Sequence, residues 1–243
     1  IFPPLTLAAM ILLLSNSTSP DGAYLTHAHA WIAEALRSVH RVAFVPYAAL
    51  TVSYDAYTDR VREALAPLGL AITSVHGHRS PAETVAQNDA VLVGGGNTFA
   101  LLAAMQRTGL IEAIRSRVAH GAPFVGWSAG ANVAGPTIRT TNDMPVVEPA
   151  GFAALGLVPF QINPHYTDAH PPGHRGETRA ERLAEFVAAN PTTPVIGLPE
   201  GTALRIDPVG VRLLGADAAP VFSAEAPTGR PVVEARLGAA LGR

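Results

Sequence analysis

Apolar residues along the chain fall into short unbroken runs, separated by longer segments in which they recur every three or four positions. Met10–Leu14, Val42–Val45, Leu70–Val75, Ala90–Val93 and Phe124–Trp127 are continuous rather than alternating, as strands buried on both faces should be. Between them lie amphipathic stretches. In Gly22–Arg37 the residues Tyr24, Ala28, Trp31, Ile32 and Ala35 share one helical face, and Tyr54–Leu65 and Thr98–Met105 repeat the spacing. This alternation predicts βαβ crossovers and a parallel sheet with helices on both sides.

The rhythm changes after Pro194. Val195–Leu198, Ala203–Ile206, Val211–Leu214 and Val232–Ala235 are separated by turn sequences such as Pro208-Val209-Gly210 and Pro227-Thr228-Gly229, too short to hold helices. One more central strand and then an antiparallel hairpin region at a sheet edge are expected. With no low-complexity linker and no internal repeat, residues 10–243 read as a single α/β domain, preceded by an extension, 1–9, of unassigned role.

Composition narrows the chemistry. Of 243 residues, 48% are hydrophobic and 15% charged, which suits a globular chain rather than a disordered one. A net charge of -2 offers no basic stripe for nucleic acid. All 17 cationic residues are Arg, so Schiff-base, pyridoxal-phosphate and P-loop lysine chemistry have no residue to use. Cysteine is absent as well, which removes disulfides, thiolate metal sites and Cys nucleophiles. Covalent catalysis must therefore use an oxygen. Ile1–Leu14 is apolar, but it contains Pro3 and Pro4, lacks a basic flank and is shorter than the roughly 18 residues of a membrane span. Neither a signal peptide nor a membrane partner is expected, and the location expected is cytoplasmic.

The sharpest motif is Gly126-Trp127-Ser128-Ala129-Gly130, a G-x-S-x-G directly after the run Phe124–Trp127 and before the small residues Ala129–Ala134. Glycines flank a strained strand-to-helix turn there, lifting the Ser128 hydroxyl above the sheet and aiming a helix N-terminus at it. A serine needs a base. Among the histidines that follow it, His165 ends the apolar segment Val158–Ile162 and its Asn-Pro, whereas His170 and His174 sit among Pro171, Pro172 and Gly173 in an expected surface loop. The imidazole needs a carboxylate in turn, and two qualify: Asp143 in a polar loop after the elbow, and Glu200 at the end of Val195–Leu198 and Pro199. Position favours neither. Gly94-Gly95-Gly96-Asn97 follows Ala90–Val93 and can supply half of an oxyanion hole through Gly96, with the N–H of Ala129 as the other half. Dinucleotide binding by this loop fails the G-x-G-x-x-G spacing. An ordinary α/β-hydrolase carries its histidine near the C-terminus, and His165 lies far from it.

Taken together the motifs resemble peptidase E, the α-aspartyl dipeptidase family of serine peptidases. The resemblance rests on Leu-Leu-Leu-Ser-Asn-Ser-Thr at 12–18, Val-Gly-Gly-Gly-Asn-Thr-Phe at 93–99, the elbow, Pro-Thr-Ile-Arg-Thr-Thr-Asn-Asp-Met-Pro at 136–145, Gln-Ile-Asn-Pro-His at 161–165, Gly-Glu-Thr-Arg at 176–179 and Gly-Leu-Pro-Glu-Gly at 197–201. Residues 1–9 and those after Ile206 match poorly. The resemblance implies a three-layer α/β/α fold, a mostly parallel sheet with an antiparallel edge, related to class I glutamine amidotransferases with serine in place of cysteine. It also implies hydrolysis of Asp-Xaa dipeptides through an aspartyl-enzyme ester; no metal or cofactor is expected, and the expected partner is a small peptide substrate. Ser128 would be the nucleophile, His165 the base, either Asp143 or Glu200 the third member, Gly96 and Ala129 the oxyanion donors, and Arg179 the ligand of the aspartyl carboxylate. A related α/β serine peptidase or esterase with another small substrate is the main alternative. A catalytically inactive binding module is a weaker one. Oligomeric state is not legible from the chain.

Overall fold

The computed structural model describes residues 9–169, 172, 173 and 175–242. The extension up to Ala8, and His170, Pro171 and His174 of the expected surface loop, lie outside the described residues. Five of the continuous apolar runs form strands at the expected places. They are β1 (Ile11–Leu14), β2 (Arg41–Val45), β3 (Ala71–Ser74), β4 (Ala90–Val93) and β5 (Phe124–Trp127), parallel and in the order β3-β2-β4-β5-β1. Successive side chains alternate between the two faces. Leu14, Phe44 and Leu92 pack with Ile32 of α1 (His29–Ala35) and Val61 of α2 (Tyr54–Leu65). Leu13, Val45 and Val93 pack with Val85 of α3 (Pro81–Ala86), Leu101 of α4 (Thr98–Arg107) and Ile114 of α5 (Leu110–Ala119). Helices thus cover both faces, and a strand apolar at every position is the only kind that can serve two cores at once.

The second half of the chain departs from the sequence expectation. A single helical turn, α6 (Ala129–Asn132), leaves β5, and a long irregular segment leads to β6 (Gln161–Pro164), α7 (Arg179–Ala189) and β7 (Val195–Leu198). β6 begins three residues later than the run starting at Val158, since Pro159 has no N–H for a ladder. β7 is not a strand of the first sheet. It pairs in parallel with β6 in a separate four-stranded sheet of order β11-β10-β7-β6. The antiparallel region is shared between the two sheets. β8 (Ala203–Asp207) runs antiparallel to β1 and turns at Pro208-Val209 into β9 (Gly210–Leu214), completing the seven-stranded sheet at its edge. β10 (Ala218–Ser223) and β11 (Ala226–Val233) extend the other sheet.

Two local expectations are corrected there. Pro227-Thr228-Gly229 lies inside β11 rather than in a turn, and the expected strand Val232–Ala235 holds only for Val232 and Val233, which end β11, because α8 (Glu234–Ala240) starts at Glu234. β11 is an edge strand, where proline is tolerated and an apolar run is not required. Both sheets contribute to one cluster of buried side chains, Leu13 and Phe124 from the first and Ile162, Leu198 and Val221 from the second. Among the described residues, no helix is long and apolar enough to cross a membrane.

Candidate active site

Ser128 occupies the junction of β5 and α6 at φ 52° and ψ -113°, outside the regions open to most L-residues. Such a conformation costs about 1–3 kcal/mol and persists only where the surroundings enforce it. Here they do. A Cβ on Gly126 would meet the carbonyl oxygen of Gly130 at 2.3 Å, and one on Gly130 would meet that of Val93 at 2.1 Å. The turn is drawn so tightly against β4 that only glycine fits on either side of the serine. The Ser128 N–H donates to the Leu14 carbonyl at 3.1 Å, and its own carbonyl accepts from Ala131 and Asn132.

His165 follows β6 and Glu200 lies two residues beyond β7, so both arrive from the second sheet. The hydroxyl of Ser128 is 2.8 Å from His165 Nε2, and His165 Nδ1 is 2.8 Å from Glu200 Oε1. With its proton on Nδ1, facing the carboxylate, the imidazole presents an acceptor at Nε2 to the serine hydroxyl. His165 also has positive φ, 55°, a second strained residue facing the first. What holds it there is the end of β1. The His165 N–H donates to Ser15 Oγ at 2.9 Å, the Ser15 hydroxyl donates to the Leu198 carbonyl at 2.8 Å, and the Gly201 N–H donates to Asn16 Oδ1 at 2.7 Å. Sequence reasoning missed Ser15 and Asn16 as positioning residues. The sequence offered one signal, two polar residues directly after a wholly apolar run, and the structure buries both.

Asp143 is elsewhere. Its Oδ2 accepts from the N–H and the hydroxyl of Thr98, at 2.7 and 2.5 Å, fastening the loop after the elbow to the first turn of α4. A carboxylate at a helix N-terminus is favoured by the dipole. Of the two acids that the sequence left open, only Glu200 contacts the imidazole. It does so at 66% side-chain exposure, so the bond orients the ring more than it stores Coulomb energy.

The glycine loop after β4 closes the other side. Gly96 has φ 135°, and a Cβ there would lie 2.2 Å from the Ala48 carbonyl oxygen. Neither the Gly96 nor the Ala129 N–H has a protein acceptor among the described residues, so both remain to receive an anion. Ser128, His165, Glu200 and Gly96 line one cavity of about 770 Å³, together with Tyr24 and Arg60. Behind the elbow, Trp127 Nε1–H donates to the hydroxyls of Tyr24 and Tyr57, both at 3.0 Å, and Tyr57 donates to the Gly95 carbonyl at 3.1 Å. Burial holds both phenols above their usual pKa, so they stay neutral donors.

Arg179, the first residue of α7, does not line this cavity. Its guanidinium donates to the carbonyl oxygens of His165 and Pro164, behind the imidazole. Burial lowers its pKa and the nearby Glu200 charge raises it, but a guanidinium stays protonated throughout. Among the described residues, no group of three or more His, Asp or Glu could hold a metal ion.

A serine on a strand-to-helix turn, hydrogen-bonded to a histidine above a parallel sheet, is the arrangement of a serine hydrolase. Residues 11–214 match peptidase family S51, and the chain belongs to that family of serine peptidases. It is similar to Peptidase E of Shewanella amazonensis, 50% identical over 204 residues that cover 84% of this chain and 87% of that one. It is also similar to Peptidase E of Salmonella arizonae, 48% identical over 214 residues, or 88% and 93% of the two chains. Two solved structures share the fold at lower identity. A putative peptidase E protein from Listeria monocytogenes superposes with a TM-score of 0.63 at 24% identity, covering 86% of this chain and 98% of that one. A peptidase from an acI-B1 Actinobacterium gives 0.65 at 15%, covering 95% and 96%.

Proposed function

We propose that the protein is a dipeptidase that cleaves Asp-Xaa through an aspartyl-enzyme ester. The observation that carries the reading is the chain of two 2.8 Å contacts from Ser128 through His165 to Glu200. In this reading the Ser128 hydroxyl gives its proton to His165 Nε2 as Oγ attacks the peptide carbonyl. Negative charge on the carbonyl oxygen is received by the N–H groups of Gly96 and Ala129, dipoles already fixed before the reaction. The imidazolium, steadied by Glu200, passes its proton to the leaving amine as the C–N bond breaks. Water then loses a proton to His165 and attacks the ester, and Oγ departs with that proton.

Arg179 is the cation that the resemblance assigns to the aspartyl side chain. To reach it, the guanidinium swings from the His165 and Pro164 carbonyls into the cavity, exchanging them for a bidentate carboxylate. A panel of Asp-Leu, Asn-Leu, Ala-Leu and Leu-Leu, with a fluorophosphonate label on Ser128, tests the proposal. The expected result is cleavage of Asp-Leu alone, and loss of both turnover and label in Ser128→Ala, with a fall in rate of about 10⁴-fold or more. Preference for Ala-Leu or Leu-Leu in the wild-type protein would make it a serine peptidase of another specificity. A near-normal rate in Ser128→Ala would remove the mechanism.

A further inference from the structure

Arg60 stands in the same cavity as Ser128 and plays no part in the chemistry described so far. Its guanidinium carbon lies 4.1 Å from the centre of the Tyr24 ring. Tyr24 is itself fixed, since its hydroxyl accepts from Nε1 of Trp127, the residue before the nucleophile. One turn back on α2, Tyr57 shares that donor. The cation is therefore registered to the elbow through two short links. No carboxylate pairs with it among the described residues, and the nearest acid in sequence, Asp59, is taken by Arg62 at 2.9 Å. The ring covers one face of the guanidinium and leaves its edge, the fork of N–H donors that suits a carboxylate.

We infer that Arg60 receives the terminal carboxylate of the leaving amino acid and so selects dipeptides over peptides blocked or extended at that end. The inference rests on the dipeptidase reading above. An Asp-Xaa dipeptide carries one carboxylate on each side of its scissile bond. Arg179, on α7, donates to the His165 carbonyl behind the imidazole, and Arg60, on α2, lines the cavity against the Tyr24 ring. With Arg179 swung into the cavity as the dipeptidase reading requires, its cation and that of Arg60 match the two anions that flank one bond. A free carboxylate within reach of an otherwise unpaired guanidinium makes a charge-assisted hydrogen bond that an amide cannot.

The test compares hydrolysis of Asp-Leu with that of Asp-Leu-amide by the wild-type protein, Arg60→Met and Arg60→Lys. Wild type should favour the free acid by about 10- to 50-fold in kcat/KM. In Arg60→Met that preference should vanish, chiefly through a higher KM for the free acid, and Arg60→Lys should restore part of it. Equal losses on both peptides, or an unchanged preference in Arg60→Met, would overturn the assignment while leaving the dipeptidase reading intact. A wild-type protein that cleaves neither peptide overturns both.

Discussion

Ser128 stands on the seven-stranded sheet, in a turn shaped by glycines that press against the backbone of β4, and it has almost no freedom to be anywhere else. His165 and Glu200 stand on the four-stranded sheet, on loops open to solvent and tied to β1 by side-chain hydrogen bonds. One half of the site is made by exclusion, the other by attachment. Steric exclusion fixes a position to within tenths of an ångström and fails abruptly. Hydrogen bonds fix it less tightly and fail by degrees, because water can substitute for a lost partner. The base and its acid therefore tolerate change better than the elbow does, and the mutational profile should show it.

The sharpest break is expected on the glycine side. Gly130→Ala puts a methyl group 2.1 Å from the Val93 carbonyl oxygen, so β4 and the elbow must part. Activity should fall by about 10³-fold, with a loss of about 3 kcal/mol in stability, seen as a melting temperature lower by roughly 6–12 °C. A variant with wild-type melting and rate would show that the turn is looser than its contacts imply.

Next come the two acids, compared directly. Glu200→Gln leaves the shape but removes the charge that favours the imidazolium, and kcat should drop by about 100-fold with KM little changed. Asp143→Asn should alter kcat by less than about threefold and cost about 1 kcal/mol of thermal stability, as a lost partner at the N-terminus of α4. The reverse ranking in kcat would transfer the orienting role to Asp143. A loss between those of the two acids should come from Ser15→Ala, which leaves the His165 N–H and the Leu198 carbonyl without their shared hydroxyl. A fall of about tenfold in kcat is expected, from an imidazole held less well. No change would mean that the strained backbone of His165 holds itself.

Much of this was legible in the chain. Runs such as Ile11–Leu14 and Phe124–Trp127 have no polar position to offer solvent, so they had to be central strands. G-x-S-x-G after such a run could be read as an elbow because the constraint is local, a matter of five residues and one turn. The glycine loop before α4 was legible for the same reason. Lacking any such mark, β10 and all but the last two residues of β11 were missed, since an edge hairpin with solvent on one side needs neither apolar continuity nor a helix period.

The choice between Asp143 and Glu200 belonged to the tertiary structure alone. Both acids end loops near the right place in sequence, and the distance from each to an imidazole depends on how two sheets are set against each other. The assignment of β7 to the second sheet was equally invisible, because Val195–Leu198 is buried on both faces in either position. Local sequence governs what a segment becomes, through sterics and burial that act within a few residues. Which segments meet is decided by packing across the whole core, and that is where Ser15, Glu200 and Arg60 acquire their relation to Ser128.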